Sequence, residues 1–169
     1  MAQLTAERIK NAIAQDLSAL DSTDVDLVKK LLFRRTLVVR MFDAATAGTA
    51  MTTTTFWENN TGVTYRVVSA KVVTPVAVAA DNTDYATFTL SKADADGANA
   101  VTVFSGDTRA ASLNGLAAGD AEALTITAAN QDVVDGWHLR IAVAKAGSGK
   151  AITAATSDAY CIVVLEPVS

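Results

Sequence analysis

One histidine, His138, and one cysteine, Cys161, are the whole supply of imidazole and thiol in this chain of 169 residues. A Ser-His-Asp or Cys-His site needs a nucleophile within hydrogen-bond reach of an imidazole, so any such site must be built on His138. The residues around it, Asp135-Gly136-Trp137-His138-Leu139-Arg140, alternate in the manner of a strand and contain no nucleophile elbow. A tetrahedral zinc site draws on several His or Cys ligands at tight spacing, and one of each is too few. Ala146-Gly147-Ser148-Gly149-Lys150 invites comparison with a phosphate-binding loop. That loop needs glycine where Ala144 stands and Ser or Thr where Ala151 stands, so the stretch is expected to be a hairpin turn. Asp94, Asp96 and Asn99 could gather oxygens around calcium, but a calcium loop needs more carboxylates and a bidentate glutamate at its end. Paired carboxylates for glycoside hydrolysis are a matter of spatial separation and are not written in spacing. The expectation is therefore a protein that is not an enzyme, with no catalytic residues, no cofactor and no metal.

The strongest concentration of one chemistry is cationic. Residues 27–42 hold Lys29, Lys30, Arg34, Arg35 and Arg40 with no acid among them. With Leu31 they are the candidate partner-binding residues, read functionally as a basic amphipathic arm for an acidic partner surface or nucleic acid; the ordinary behaviour of a charge run is a solvated helix face.

The elements that must position these residues fall into two groups. Across residues 4–20, Ile9, Ile13, Leu17 and Leu20 follow the steps of one helix face, and Thr5 suits an N-cap. A break at Asp21-Ser22-Thr23-Asp24 leads to a second helix with Val25, Val28, Leu31 and Leu32 as its stripe. The end of that helix is ambiguous, because Thr36-Leu37-Val38-Val39 either extends it or begins a strand. The expected organisation is an N-terminal α-helical segment or arm over 1–45, a Thr-rich linker or extended arm over 46–55 and a β-sandwich domain over 56–169.

The β body announces itself by alternation. Val68, Ala70 and Val72 alternate with Ser69 and Lys71, and Pro75 ends or edges that strand because it cannot donate to a ladder. Phe88 and Leu90 point one way, Thr87 and Thr89 the other. Strands are expected at 100–104 and about Leu124-Thr125-Ile126-Thr127, with turns at Ala80-Asp81-Asn82-Thr83-Asp84, Asp94-Ala95-Asp96-Gly97 and Asn114-Gly115. In the clearest strand Trp137, Leu139, Ile141 and Val143 share a face opposite His138 and Arg140. The last, over 160–165, is apolar on both sides, which marks either a central strand or a subunit interface. Short strands at regular spacing without intervening helices predict a mainly β fold, a sandwich or a barrel. Strand order is not legible from spacing.

Charge narrows the partners. Residues 1–45 carry seven basic and six acidic groups, whereas 46–169 carry seven and twelve. An acidic body argues against nucleic acid, since a phosphate-binding face clusters cations. No window reaches the roughly 18 apolar residues of a membrane helix. The opening MAQLTAERIKNAIAQD has frequent charges and no apolar core, so no export signal is expected. A lone cysteine fits folding in a reducing cytoplasm.

Phe56-Trp57, Thr64-Tyr65-Arg66-Val67-Val68-Ser69-Ala70, Ala80-Asp81-Asn82-Thr83-Asp84-Tyr85-Ala86-Thr87-Phe88, Asp132-Val133-Val134-Asp135-Gly136-Trp137-His138-Leu139 and the closing Val163-Val164-Leu165-Glu166-Pro167 together resemble jelly-roll virion proteins of tailed bacteriophages. The resemblance covers the C-terminal two-thirds and is one of grammar, without a diagnostic motif. It implies a jelly-roll-like antiparallel β-sandwich behind an N-terminal helical arm. Functionally it implies a capsid decoration or cement protein on the phage head surface, made in the host cytoplasm. The major capsid protein and the chain itself, as a homotrimer, are the implied partners. The alternatives are another virion component (head fibre, head–tail connector or minor tail protein) or a glycan-binding β-sandwich module.

Overall fold

The computed structural model describes residues 30, 32–41, 50–147 and 159–168. Strand formation follows the alternation of small polar and β-branched residues. Leu139, Ile141 and Val143 are fully buried on strand β8 (His138–Lys145), and Phe88 and Leu90 on β4 (Ala86–Ala93). Strand β9 (Tyr160–Pro167) buries Cys161, Val163 and Leu165.

Two antiparallel sheets result. The first runs in the order β1 (Arg35–Arg40), β9, β3 (Tyr65–Val73), β6 (Ala121–Ala123), with the two-residue β7 (Asp132–Val133) also on β3. The second runs β2 (Met51–Glu58), β8, β4, β5 (Val101–Asp107). The inward side chains of both sheets form one continuous hydrophobic core, in which Val67, Leu165 and Cys161 of the first meet Leu90, Ile141 and Val143 of the second. Glycine is required by close approach at Gly147, φ +65°, where an added Cβ would lie 2.6 Å from the Thr83 carbonyl oxygen, and at Gly115, φ +79°, where it would lie 2.5 Å from the Val78 carbonyl oxygen. The latter approach is part of the pairing of Val78 with Leu116.

Four expectations change. The β body starts at Arg35, so the strand Arg35–Arg40 falls inside the expected 1–45 helical segment and Met51–Glu58 overlaps the expected 46–55 linker. Thr36-Leu37-Val38-Val39 takes its strand alternative because Leu37 and Val39 turn toward the core while pairing with Val163 and Cys161. Met51–Glu58 is a strand whose hydrophobic period is hidden by two register shifts against β8. On β3, Val68 does not share a face with Ala70 and Val72: it is 39% exposed, at a bulge where the register on β9 jumps between Val67 and Ser69. The segment 124–127 is a crossing, with the Leu124 N–H on the Ala70 carbonyl of one sheet and the Thr127 N–H on the Val103 carbonyl of the other.

Pro75 lies just outside β3, as its missing donor requires. The helices expected over 4–20 and 25–32 lie outside the described residues, apart from a helical turn closed by the Arg34 N–H on the Lys30 carbonyl at 3.0 Å. Ser148, Gly149 and Lys150 of the expected hairpin turn also lie outside them.

Candidate interaction surfaces

The candidate cations do not form one stripe. Lys29 and Leu31 lie outside the described residues; Lys30 and Arg34 are exposed on the helical turn. Arg35 and Arg40 stand five residues apart on β1 and therefore face opposite sides. Arg35 sits opposite inward-facing Leu165. Its Nε donates to the Tyr65 hydroxyl at 3.2 Å, with the guanidinium 5.5 Å from the ring centroid. Arg40 pairs with Tyr160 on the outer face. A strand replaces the expected helix here, so the spacing that would align cations on a helix separates them.

Arg66, Lys92 and Arg109 of the β body are engaged within it. Arg66 forms a two-pronged pair with Asp132, Nε to Oδ1 at 2.6 Å and Nη2 to Oδ2 at 2.9 Å. Those bonds hold the Asp132 carboxyl below its usual range against its partial desolvation. Lys92 crosses between the sheets to donate to the Asp132 carbonyl at 2.6 Å, its ammonium 5.5 Å from the Trp137 ring centroid. Arg109 grips Asp107 at 2.9 and 2.6 Å while lying 4.6 Å from the Tyr85 ring centroid. The Arg109 hydrogen bonds likewise depress the Asp107 carboxyl, despite its burial.

The histidine comes out on the face opposite Leu139, as the alternation requires, but it is more enclosed than a turn-proximal surface residue. Its side chain is 15% exposed, and Nε2 lies 3.4 Å from Glu58 Oε1 without hydrogen-bond geometry. The Asp94–Asn99 turn is bonded within itself, although Asp94 Oδ1 is buried without a hydrogen-bond partner. Asn99 Nδ2 donates to Asp94 Oδ2 at 2.7 Å, and the Ala98 N–H donates to Asp96 Oδ1 at 3.0 Å and leads in lowering that carboxyl's pKa. Among the described residues no cluster of three or more His, Cys, Asp or Glu could hold a metal ion. Also among them, no helix is long and apolar enough to cross a membrane.

One feature was not singled out by sequence reasoning, and a second was signalled only in part. Asn59, in what reads as a polar turn, is fully buried. Its Nδ2 donates to the carbonyls of Val63 at 2.8 Å and Val133 at 2.9 Å, and its Oδ1 accepts from the Thr61 hydroxyl at 2.7 Å. The second is a contrast between the outer faces. On the β2-β8-β4-β5 sheet the outer positions of β4 are Thr87, Thr89 and Ser91, with Ser105 of β5 beside Thr89. On the other sheet Val38, Val68 and Tyr160 are exposed at 63, 39 and 38%. Ile162 and Val164 lie between them, half-buried. The doubly apolar last strand signalled this: β9 is central in its sheet, and its outer side is still apolar.

Among the described residues the arrangement defines a mainly β protein with two antiparallel sheets on a shared core, one of whose outer faces carries Val38, Tyr160, Ile162 and Val164 interleaved with Thr36, Arg40 and Lys71. The chain matches no family model, no curated protein and no solved structure.

Proposed function

We propose that this chain is a non-enzymatic structural protein of a virus particle. In this reading it is a decoration or cement protein that binds the outside of a phage head, coating the major capsid protein in many copies. The observation that carries the reading is the strand order. Four antiparallel pairs nest, β1 with β9, β2 with β8, β3 with β6 and β4 with β5. That is one long antiparallel hairpin rolled up, and closing it with β9 on β3 and β8 on β4 gives the order of a jelly roll. Such folds recur in capsid components, and the apolar residues on the outer face of the β1-β9-β3-β6 sheet offer contact area for a shell or for sister subunits. Trp57 stacks edge-on against Tyr65 at 5.7 Å and Trp137 lies under Lys92, so neither indole is presented as a sugar platform.

The test is to mix the purified protein with undecorated capsids and image them by electron microscopy. Regular added density over the shell is the expected result; bare shells at micromolar protein overturn the capsid reading. Immunogold labelling of intact particles separates a coat from a head fibre, connector or minor tail protein, since only a coat covers the whole head.

A further inference from the structure

Exposed strand edges invite pairing with other chains, and natural sheets blunt them with breaks, caps or brevity. Among the described strands there are four edges, and three are blunted. Strand β2 carries two register shifts. Strand β5 has a register shift opposite Ser91, and its outer carbonyls are taken: Val103 by the Thr127 N–H and Thr102 by Asn130 Nδ2, each at 2.8 Å. The far edge of the first sheet is split between β6 and β7, three and two residues long. Strand β1 differs. Six consecutive residues pair with β9 without a break or a proline, and Val38 in the middle is 63% exposed.

We propose that the β1 edge is a self-association site, at which a second copy of this chain pairs antiparallel through its own β1 about a twofold axis. The side chains favour this occupant. Directly opposed residues in antiparallel pairing face the same side. Arg35 and Arg40 face opposite sides, so self-pairing never sets one across from the other. Centring the axis on Val38 puts Val38 against Val38 and Thr36 against Arg40. Because Val38 already stands opposite Ile162, the row Ile162-Val38-Val38-Ile162 runs unbroken across the axis as contacts between β-branched side chains. The first sheets of two copies join into one, and the apolar residues of the outer face double. Twofold pairing yields a dimer, where the resemblance to decoration proteins implies three copies. It does not rest on the virion reading.

Sedimentation equilibrium of the full chain tests this, with a mass of twice 17.5 kDa as the expected result. Val38→Lys opposes two like charges at the axis and raises the dimer dissociation constant at least ~10-fold. Val38→Cys, treated with a short bifunctional maleimide, gives a covalently linked dimer, because opposed Cβ atoms lie about 4.5–5.5 Å apart, close enough for the linker though wide for a direct disulfide; Ser105→Cys on β5 does not. A monomer, a trimer, or a dimer indifferent to Val38→Lys overturns the proposal. Should Val38→Lys lose its circular dichroism signature, the crosslink decides, and Val38→Cys behaving like Ser105→Cys overturns it.

Discussion

The carboxamide of Asn59 satisfies two main-chain carbonyls while shut away from water. It ties the segment after β2 to the segment after β7, where the Gly136 N–H returns a bond to the Asn59 carbonyl at 2.6 Å. Truncating it leaves the buried Val133 carbonyl unpaired, at a cost of about 1–3 kcal/mol, while the part-buried Val63 carbonyl keeps the Thr61 hydroxyl. Asn59→Ala is expected to destabilise the protein by roughly 2 kcal/mol, read as a fall in thermal midpoint of ~4–8 °C. Acid acts through different residues. The folded-state carboxyls of Asp107 and Asp132 are depressed by Arg109 and Arg66. Their stabilisation is therefore complete above the unfolded carboxylate range, ~3.9, and is lost as pH falls through the lower folded values. Urea unfolding across this window is expected to show a steep loss of stability below about pH 4. Asp107→Asn should be less stable at neutral pH and show a shallower acid limb.

At the scale of the element, strand β3 separates what the sequence states from what it conceals. The alternation that predicts β4, β8 and β9 holds because each keeps one phase along its buried face. The phase of β3 slips at Val68, and nothing in Val67-Val68-Ser69 says which valine is the extra one; the partner strand β9 decides it. Strand β2 was hidden for a related reason. An edge strand with two register breaks has no period to read, so threonine-rich sequence passes for linker. The surface was legible only where the pattern broke its own rule, in the apolar outer side of β9. Asn59 gave no signal, since a buried carboxamide and a turn asparagine share one letter. The bulge makes its own prediction. Val68→Lys should fold with stability within ~0.5 kcal/mol of wild type, as surface changes do. Val67→Lys, fully buried, places an unpaired cation in the core and should not yield soluble folded protein. Circular dichroism and solubility on expression distinguish the two.

At the scale of the whole molecule, the single thiol serves as a probe of opening. Cys161 is fully buried on the central strand of its sheet, and burial pushes its pKa up to about 12. Thiolate is the reactive form, so a native-state reagent meets an inert group. Labelling by a disulfide reagent should be slow and should accelerate with urea in step with loss of the circular dichroism signal. Fast labelling in buffer would mean that β9 detaches locally from β1 and β3.

Strand β9 also sets an order of events during synthesis. It is made after every other described strand and pairs Arg35 with Leu165, yet it sits between β1 and β3. A nascent chain that has emerged only as far as β8 holds a first sheet with an empty slot at its centre and two unpaired edges facing it. Contacts this distant in sequence form late and slowly. The interval between the emergence of β8 and that of β9, at about 5–20 residues per second, is therefore when this protein most needs either a chaperone's cover or dilution from its own siblings.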